Sequence, residues 1–406
     1  MLRIRNFQGL RPAPELAAEV ACVPYDVVSS AEAAALAENN PHSLLHVDRA
    51  EIDCPPDTDP HSDLVYATAV GNFRRLQEAG SLIREEVPAL YVYRLQMDEH
   101  QQTGLVAVCH IEDYENDLIK KHEKTRRDKE DDRTRLVGDL SANTGPIFLT
   151  YKDHGVVDRL IAEVISSEPI NHFTAPDGVI HSVWRIAGGE ALIDAFHSIP
   201  CAYVADGHHR TASAVRVGRD RRQDNPNHTG EEDYNWFLSV LFPASQLKIL
   251  PYNRLVDGLE GKTPDELLSA LSQICKVHAQ KGPVPPGPGW VAMALEGSWF
   301  HLEIPPRPDA DPVSALDVSW LQDQVLAPLL GVADPRTSQK IEFIGGIRGT
   351  DVLLKQATPG SGKVAFSLAP TTVNQLMEIA DAGQIMPPKS TWFEPKLRSG
   401  LFIHTF

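Results

Sequence analysis

The residues of this chain best suited to chemistry stand together in Ala205-Asp-Gly-His-His-Arg-Thr211. A carboxylate, two imidazoles, a guanidinium and a hydroxyl follow directly on a short apolar run, residues 201–205. That order reads as strand, sharp turn, helix. Asp206 has the side chain of an N-cap, and Gly207 lets the backbone turn tightly. Amide N–H groups at a helix start, with the positive end of its dipole, favour an anion. His208, His209, Arg210 and Thr211 add donors for phosphate oxygens, and Arg210 is expected as an exposed guanidinium that contributes little packing. The plainer reading, an N-cap followed by solvated polar residues, would suit a lone Asp-Gly better than a turn that carries two His and an Arg.

A second group, His122, Glu123, Lys124, Thr125 and Arg126, offers a base, a carboxylate, two cations and a hydroxyl at a strand-to-helix junction after Ile119. This is the inventory that phosphoryl transfer uses. It opens the run 120–135, in which eight residues are Lys or Arg and five are Asp or Glu. Arg127 to Asp132 read as a solvated helix face laced with salt bridges. Near the end of the chain, Pro387, Pro388 and Pro395 stiffen a loop that presents Lys389, Ser390, Thr391 and Lys396, and a stiff loop loses little entropy on ordering around a ligand. The same tail can dock through Trp392 and Phe393, and both readings can hold. Tyr25 and Asp26, in Pro24-Tyr-Asp-Val27, are either a strand-to-helix connection or substrate contacts, and Asn143 joins them as a substrate candidate.

These groups must be positioned by mixed elements. Leu64, Val65, Ala67, Val70, Phe73 and Leu76 recur at helical spacing, and the second of two serines, Ser30, is placed to cap an Ala-rich helix over 31–39. Residues 89–94 and 104–111 are β-rich and about a hairpin apart, joined by polar 98–103. Strands are expected at 147–151, 171–176 and 179–187, helices at 155–166 and 189–197, and a strand pair at 236–242 and 248–255. From 258 onward helices and strands alternate between Pro/Gly-rich linkers. Pro359-Gly-Ser-Gly-Lys363 lacks the first glycine and the hydroxyl residue of a P-loop and reads as a hairpin turn. The fold class is α+β, a mixed α/β architecture without a strict βαβ rhythm. Three segments are expected: 1–104, 105–257 with the two reactive groups, and 258–406 with the proline-rich tail.

At 406 residues the chain exceeds what one core usually serves. Its net charge of −17 disfavours nucleic acid as a partner. No apolar run reaches membrane-span length, and the N-terminus lacks an apolar signal region, so a cytoplasmic protein with no membrane partner is expected. Five cysteines without a C-x-x-C pair suit a reducing compartment and argue against a zinc ribbon.

With Pro24-Tyr-Asp-Val27, Lys121-His-Glu-Lys-Thr125, Ala205-Asp-Gly-His-His-Arg210 and Met386-Pro-Pro-Lys-Ser-Thr-Trp-Phe-Glu-Pro-Lys396 in order, the chain resembles the prokaryotic family known as domain of unknown function ten-fifteen. Its Asp-Gly-His-His-Arg element is similar to the phosphate-gripping motif of the ParB and sulfiredoxin-like superfamily, which includes kinases of free L-serine. The resemblance implies a ParB-like core and a kinase using ATP or ADP with Mg²⁺. It also implies that Glu123, beside His122, is the base, and that Asp206 to Arg210 are the phosphate cradle. Lys124, Arg126, Lys389 and Lys396 would stabilise phosphate charge. The partners implied are a nucleotide and a small amino acid, with a homodimer permitted. One departure is the separation of Glu123 from Asp206, longer than a compact ParB-like core needs. Two other classes stay open: a nucleotide-switched regulatory protein without transfer, and a metal-dependent hydrolase, which lacks the H-x-x-x-H or H-x-x-E-H spacing it would need.

Overall fold

The computed structural model describes residues 1–279 and 281–406. They pack as two compact units, one of residues 1–247 with 395–406 and one of residues 248–394. The first unit therefore takes in the N-terminal segment together with most of the segment that carries the two reactive groups.

One mixed sheet organises the first unit. Its strands are β1 (Ile4–Arg5), β2 (Ala89–Met97), β3 (His100–His110), β4 (Ile119–Lys120), β5 (Ile147–Tyr151), β6 (Asn171–Thr174), β7 (Ile180–Ala187), β8 (Ala202–Asp206) and β9 (Trp236–Pro243). Their order is β4-β8-β5-β9-β3-β2-β7-β6, with β1 beside β3. Most neighbours are antiparallel, but β8 runs parallel to β4 and β9 parallel to β5. The hairpin of β2 and β3 lies in the middle. Its connection is much shorter than the polar stretch 98–103 suggested: Met97 pairs with His100, and Asp98 takes a left-handed turn conformation at φ 52°. Residues 100–103 continue the strand by pairing with Arg94 to Met97, and Thr103 N–H also donates to Gln246 Oε1 at 2.7 Å.

The helices of this unit include α1 (Asp63–Glu78), α2 (Arg127–Leu140), α3 (Gly155–Val164), α4 (Glu190–His197) and α5 (His208–Asp224). Helices α3, α4 and α5 contribute Val157, Ile161, Leu192, Phe196, Ala214 and Val215 to a core with the sheet residues Leu105, Leu149, Val204 and Leu241. Burial of apolar area on this scale is the main favourable term of the fold. Helix α1 buries Val65, Phe73 and Leu76 as its spacing required, whereas Leu64 faces outward. The Ala-rich helix spans Ser30–Ala37, and its cap is the first serine, not the second: Ser29 and Glu32 form a reciprocal capping box.

The second unit carries an antiparallel sheet of β10 (Tyr252–Asp257), β11 (Lys276–Ala279), β12 (Trp290–Leu295), β13 (Ser298–Glu303), β14 (Ile341–Gly345) and β15 (Lys363–Leu368), ordered β11-β13-β12-β15-β10-β14. Helices α6 (Pro264–Leu271) and α7 (Val373–Asp381) start at capping boxes of Thr263 and Thr372. The strand pair expected at 236–242 and 248–255 does not form. Residues 236–243 belong to the first sheet, while Lys248–Leu250 pairs with Trp392–Glu394 and Tyr252–Asp257 enters the second sheet. The Pro359–Lys363 stretch is a connection from the helix Asp351–Gln356 into β15, not a hairpin, with Gly360 and Gly362 at positive φ. Among the described residues no helix is long and apolar enough to cross a membrane.

Candidate functional site

The two reactive groups meet because β4 and β8 are parallel neighbours, with Ala202 opposite Ile119 and Tyr203 opposite Lys120. Parallel strands release their chains at the same sheet end. The loop of residues 121–126 and the turn of residues 206–210 therefore leave side by side, each into the start of a helix, α2 and α5. The ring centroids of His122 and His208 stand 4.5 Å apart, edge to face at 87°. His122 is fully buried, and burial pulls its pKa down to about 4, against the hydrogen bond it gives the Val204 carbonyl and the nearby Asp206 charge. Arg126 N–H donates to His209 Nε2 at 3.0 Å, so the neutral His209 ring carries its proton on Nδ1. Glu123 is half-buried, and its carboxylate lies within 4.8 Å of ligating nitrogens of both His122 and His208.

Asp206 ends β8 at an irregularity in its pairing with β5, between Val204 and Asp206, which re-aims the side chain. It is not the N-cap. That position belongs to Gly207 at φ 93°, a conformation that favours glycine, and the helical ladder begins with Thr211 N–H donating to Gly207 O at 2.9 Å. The Asp206 carboxylate instead accepts from Gly207 N–H at 2.8 Å and pairs with Lys396 Nζ at 2.9 Å. Burial would raise its pKa, but Lys396 and Arg210 outweigh it and hold the carboxyl well below the usual carboxylate range. An anion at the start of α5 would thus meet a carboxylate already neutralised by Lys396.

Several expected phosphate ligands have other partners. Thr211 is fully buried, and its hydroxyl donates to Gly207 O at 3.0 Å. Arg210 is not an exposed guanidinium: it is half-buried, and Nη1 donates to Pro146 O at 2.5 Å. Its Nε is buried with no hydrogen-bond partner. Thr125 Oγ1 donates to Glu130 Oε2 at 2.8 Å, and Arg126 pairs with Asp128 at 2.9 Å. Lys124 is exposed beside Glu123. Lys389, Ser390 and Thr391 belong to the second unit, where exposed Lys389 lies over the Tyr252 ring and buried Ser390 lines a cavity of about 350 Å³ with Arg307, Asp317 and Thr371. Arg127 is solvated as expected, but Asp132 is buried and accepts from Tyr66 Oη at 2.7 Å.

Sequence reasoning passed over a polar cluster on the far side of Arg210. Tyr25, Asp48, Arg133, Asn143, Thr144, Arg210 and Ser399 enclose about 30 Å³, room for a single water and not for an amino acid. The Arg133 guanidinium stacks on Tyr25 at 4.1 Å, and Thr144 donates to Asp48 at 2.6 Å. Burial, opposed by Thr144 and Arg133, raises the Asp48 carboxyl. Asn143 Oδ1 is committed to Leu238 N–H at 3.2 Å, and Asp26 is exposed next to buried Tyr25. The three expected substrate residues therefore do not line one open pocket. Arg133 was counted in the charged run 120–135 without being singled out, and Asp48 carried no signal of its own.

Among the described residues the one His, Cys, Asp or Glu cluster with ligating spacing is His122, Glu123 and His208, two nitrogens to one carboxylate, whereas Mg²⁺ is ordinarily held by one or two carboxylates together with phosphate oxygens and water.

Among curated proteins no sequence matches this chain. Solved structures similar to it include SbnI with C-terminal truncation from Staphylococcus aureus, at 13% identity and TM-score 0.38, covering 71% of this chain and 82% of that one. A free serine kinase in complex with AMP aligns at 14% identity and TM-score 0.36, covering 70% and 88%. A conserved hypothetical protein from Pyrococcus furiosus aligns at 14% and 0.36, covering 70% and 93%. Residues 4–319, more than half of the chain and three of its four motifs, match the family described as protein of unknown function (DUF1015), and the chain belongs to that family.

Proposed function

We propose that this protein is a phosphotransferase that moves a phosphoryl group from ATP, or from ADP, to the hydroxyl of a small amino acid, with free L-serine the first choice. The observation that carries the reading is the parallel pairing of β4 and β8, which sets the Glu123 loop beside the opening turn of α5. One side offers a carboxylate. The other offers the positive end of a 17-residue helix, with Lys396 against Asp206 and His209 held by Arg126 N–H. The likeness of His122-Glu123 and Asp206-Gly-His-His-Arg210 to the motifs of free serine kinases supports the same assignment, and with it a ParB-like kinship for this part of the chain.

In the reaction, the substrate oxygen forms a bond to the terminal phosphorus as the bond from that phosphorus to the bridging oxygen breaks. The hydroxyl proton passes to Glu123, and the shortened nucleotide leaves. Positioning and charge stabilisation supply most of the catalysis in such transfers. Exposed Lys124, Lys396 and the turn of residues 207–209 are the groups assigned to the phosphates, and Asp206 is a positioning residue that holds Lys396 and Gly207. Arg210 holds the turn to the Pro146 loop.

An amino-acid panel incubated with ATP and with ADP, followed by phosphorus NMR, tests the proposal. A new phosphomonoester with L-serine is expected. No phosphomonoester across the panel, from a folded protein that binds nucleotide, would leave a nucleotide-binding regulator in its place.

A further inference from the structure

We infer that His122, Glu123 and His208 form a site for one divalent transition-metal ion of the borderline class, Zn²⁺ or Co²⁺, and not Mg²⁺. Their ligating atoms all lie within 4.8 Å of one another. Around an ion with tetrahedral bonds of about 2.0 to 2.2 Å, ligand atoms sit about 3.3 to 3.6 Å apart, so a side-chain adjustment of up to about 1.5 Å closes the set. The half-buried Glu123 side chain, at the loop, is the one able to make it. Two imidazoles and a carboxylate suit borderline metals and leave coordination positions open.

A second observation points the same way. His122 gives one ring N–H to the Val204 carbonyl, the kind of outer-shell bond that fixes the tautomer and leaves the lone pair on the other nitrogen. The ring is held edge-on to His208 at 4.5 Å, inside a buried wall. The positive end of α5 opposes a cation there, and the Glu123 carboxylate offsets it, with Asp206 close enough to interact with both rings. The inference needs only these side chains and does not rest on the kinase reading. On that reading, an ion would mark an off-state, since it takes the carboxylate that the hydroxyl proton needs.

The test is metal binding to the full-length, untagged, chelator-treated protein without nucleotide. Calorimetry with Zn²⁺ and the visible spectrum of added Co²⁺ should report one ion per chain, with Mg²⁺ far weaker. Glu123→Gln and His208→Gln should each weaken Co²⁺ and Zn²⁺ by about tenfold or more. Thermal unfolding with and without Zn²⁺ checks that each variant is folded, and if His208→Gln fails to fold, Glu123→Gln alone decides. Absence of Zn²⁺ and Co²⁺ uptake by the folded protein, or uptake unchanged in folded Glu123→Gln, overturns the inference. Loss of kinase activity plays no part in the readout.

Discussion

Glu123 is half-buried between two imidazoles and an exposed lysine, a setting in which a neutral isostere keeps shape and hydrogen-bond reach but loses the ability to take a proton. Glu123→Gln is expected to lower transfer by roughly 10² to 10⁴ while nucleotide affinity hardly changes, because the lost interaction belongs to the transition state. Steady-state kinetics beside a nucleotide titration check it, and an equal fall in both would make Glu123 a binding residue. Lys396 gives a second prediction. Its ammonium lies 2.9 Å from Asp206 Oδ2, and Lys396→Met keeps the stem while leaving that carboxylate without its cation. A loss of about 1 to 3 kcal/mol in urea unfolding is expected, smaller in the Lys396→Met, Asp206→Asn double variant than the two single losses added. The pH dependence has a definite sign. A depressed folded pKa contributes stability above the ordinary aspartate value of about 3.9 that is lost as pH falls through the folded value. Without Lys396 the folded value moves back toward the ordinary one, so that acid loss is smaller and ends at a higher pH. Asp206 and Glu123 were readable from sequence because each stands in a short run of unlike polar residues. Asp48, Arg133 and Ser399 come together only in space, and neither Asp48 nor Ser399 stands in a marked local pattern.

Helix α5 carries the turn of the site and is seated by a close approach. A Cβ on Gly218 would fall on the Tyr234 carbonyl oxygen and the Ile111 side chain. Gly218→Ala therefore trades a helix-propensity gain of about 1 kcal/mol for overpacking of about 2 to 3, a net destabilisation of about 1 to 2 kcal/mol in chemical denaturation. At the N-terminal edge, Glu85 joins three elements: Arg11 at 2.5 Å, Arg185 of β7 at 3.1 Å and Tyr91 of β2 at 3.1 Å. Burial would raise its pKa, but Arg11 and Arg185 lower it, so its contribution is present above about pH 4.3 and fades below. Glu85→Gln should cost about 2 to 3 kcal/mol at pH 7, less than a fully buried pair because both arginines stay partly exposed. Melting curves of both proteins should converge as pH falls below 4. Elements with strong local signals, such as β2, β3, β5, α1 and α3, were legible in advance. The turn at Asp98 was not, because polar residues 100–103 look like a loop until their strand partners are known. Nor was the pairing of 236–243, since two nearby β-rich runs carry no mark that they enter different sheets.

Over the whole molecule, the chain leaves the first unit at Leu247 and returns to it at Pro395. The intervening unit has its own six-stranded sheet and a core that includes Leu255, Ala294, Trp299, Ile344 and Leu353. Residues 248–394 produced alone are expected to unfold cooperatively on heating, as circular dichroism would show; a featureless melt would mean that this core depends on the rest of the chain. The returning segment matters in another way. Asp206 waits for Lys396 across 190 residues of sequence, and synthesis proceeds at about 5 to 20 residues per second, so some 10 to 40 seconds separate the two on the ribosome. During that interval the nascent chain holds the carboxylate of its reactive turn without the cation that neutralises it, and the strand from His404, which pairs with Asn143, is also still unmade. The reactive turn is thus completed only after the second unit has been synthesised, and a ribosome stalled inside residues 248–394 would hold a chain whose strands β1 to β9 are all synthesised but whose charge pair at Asp206 does not yet exist.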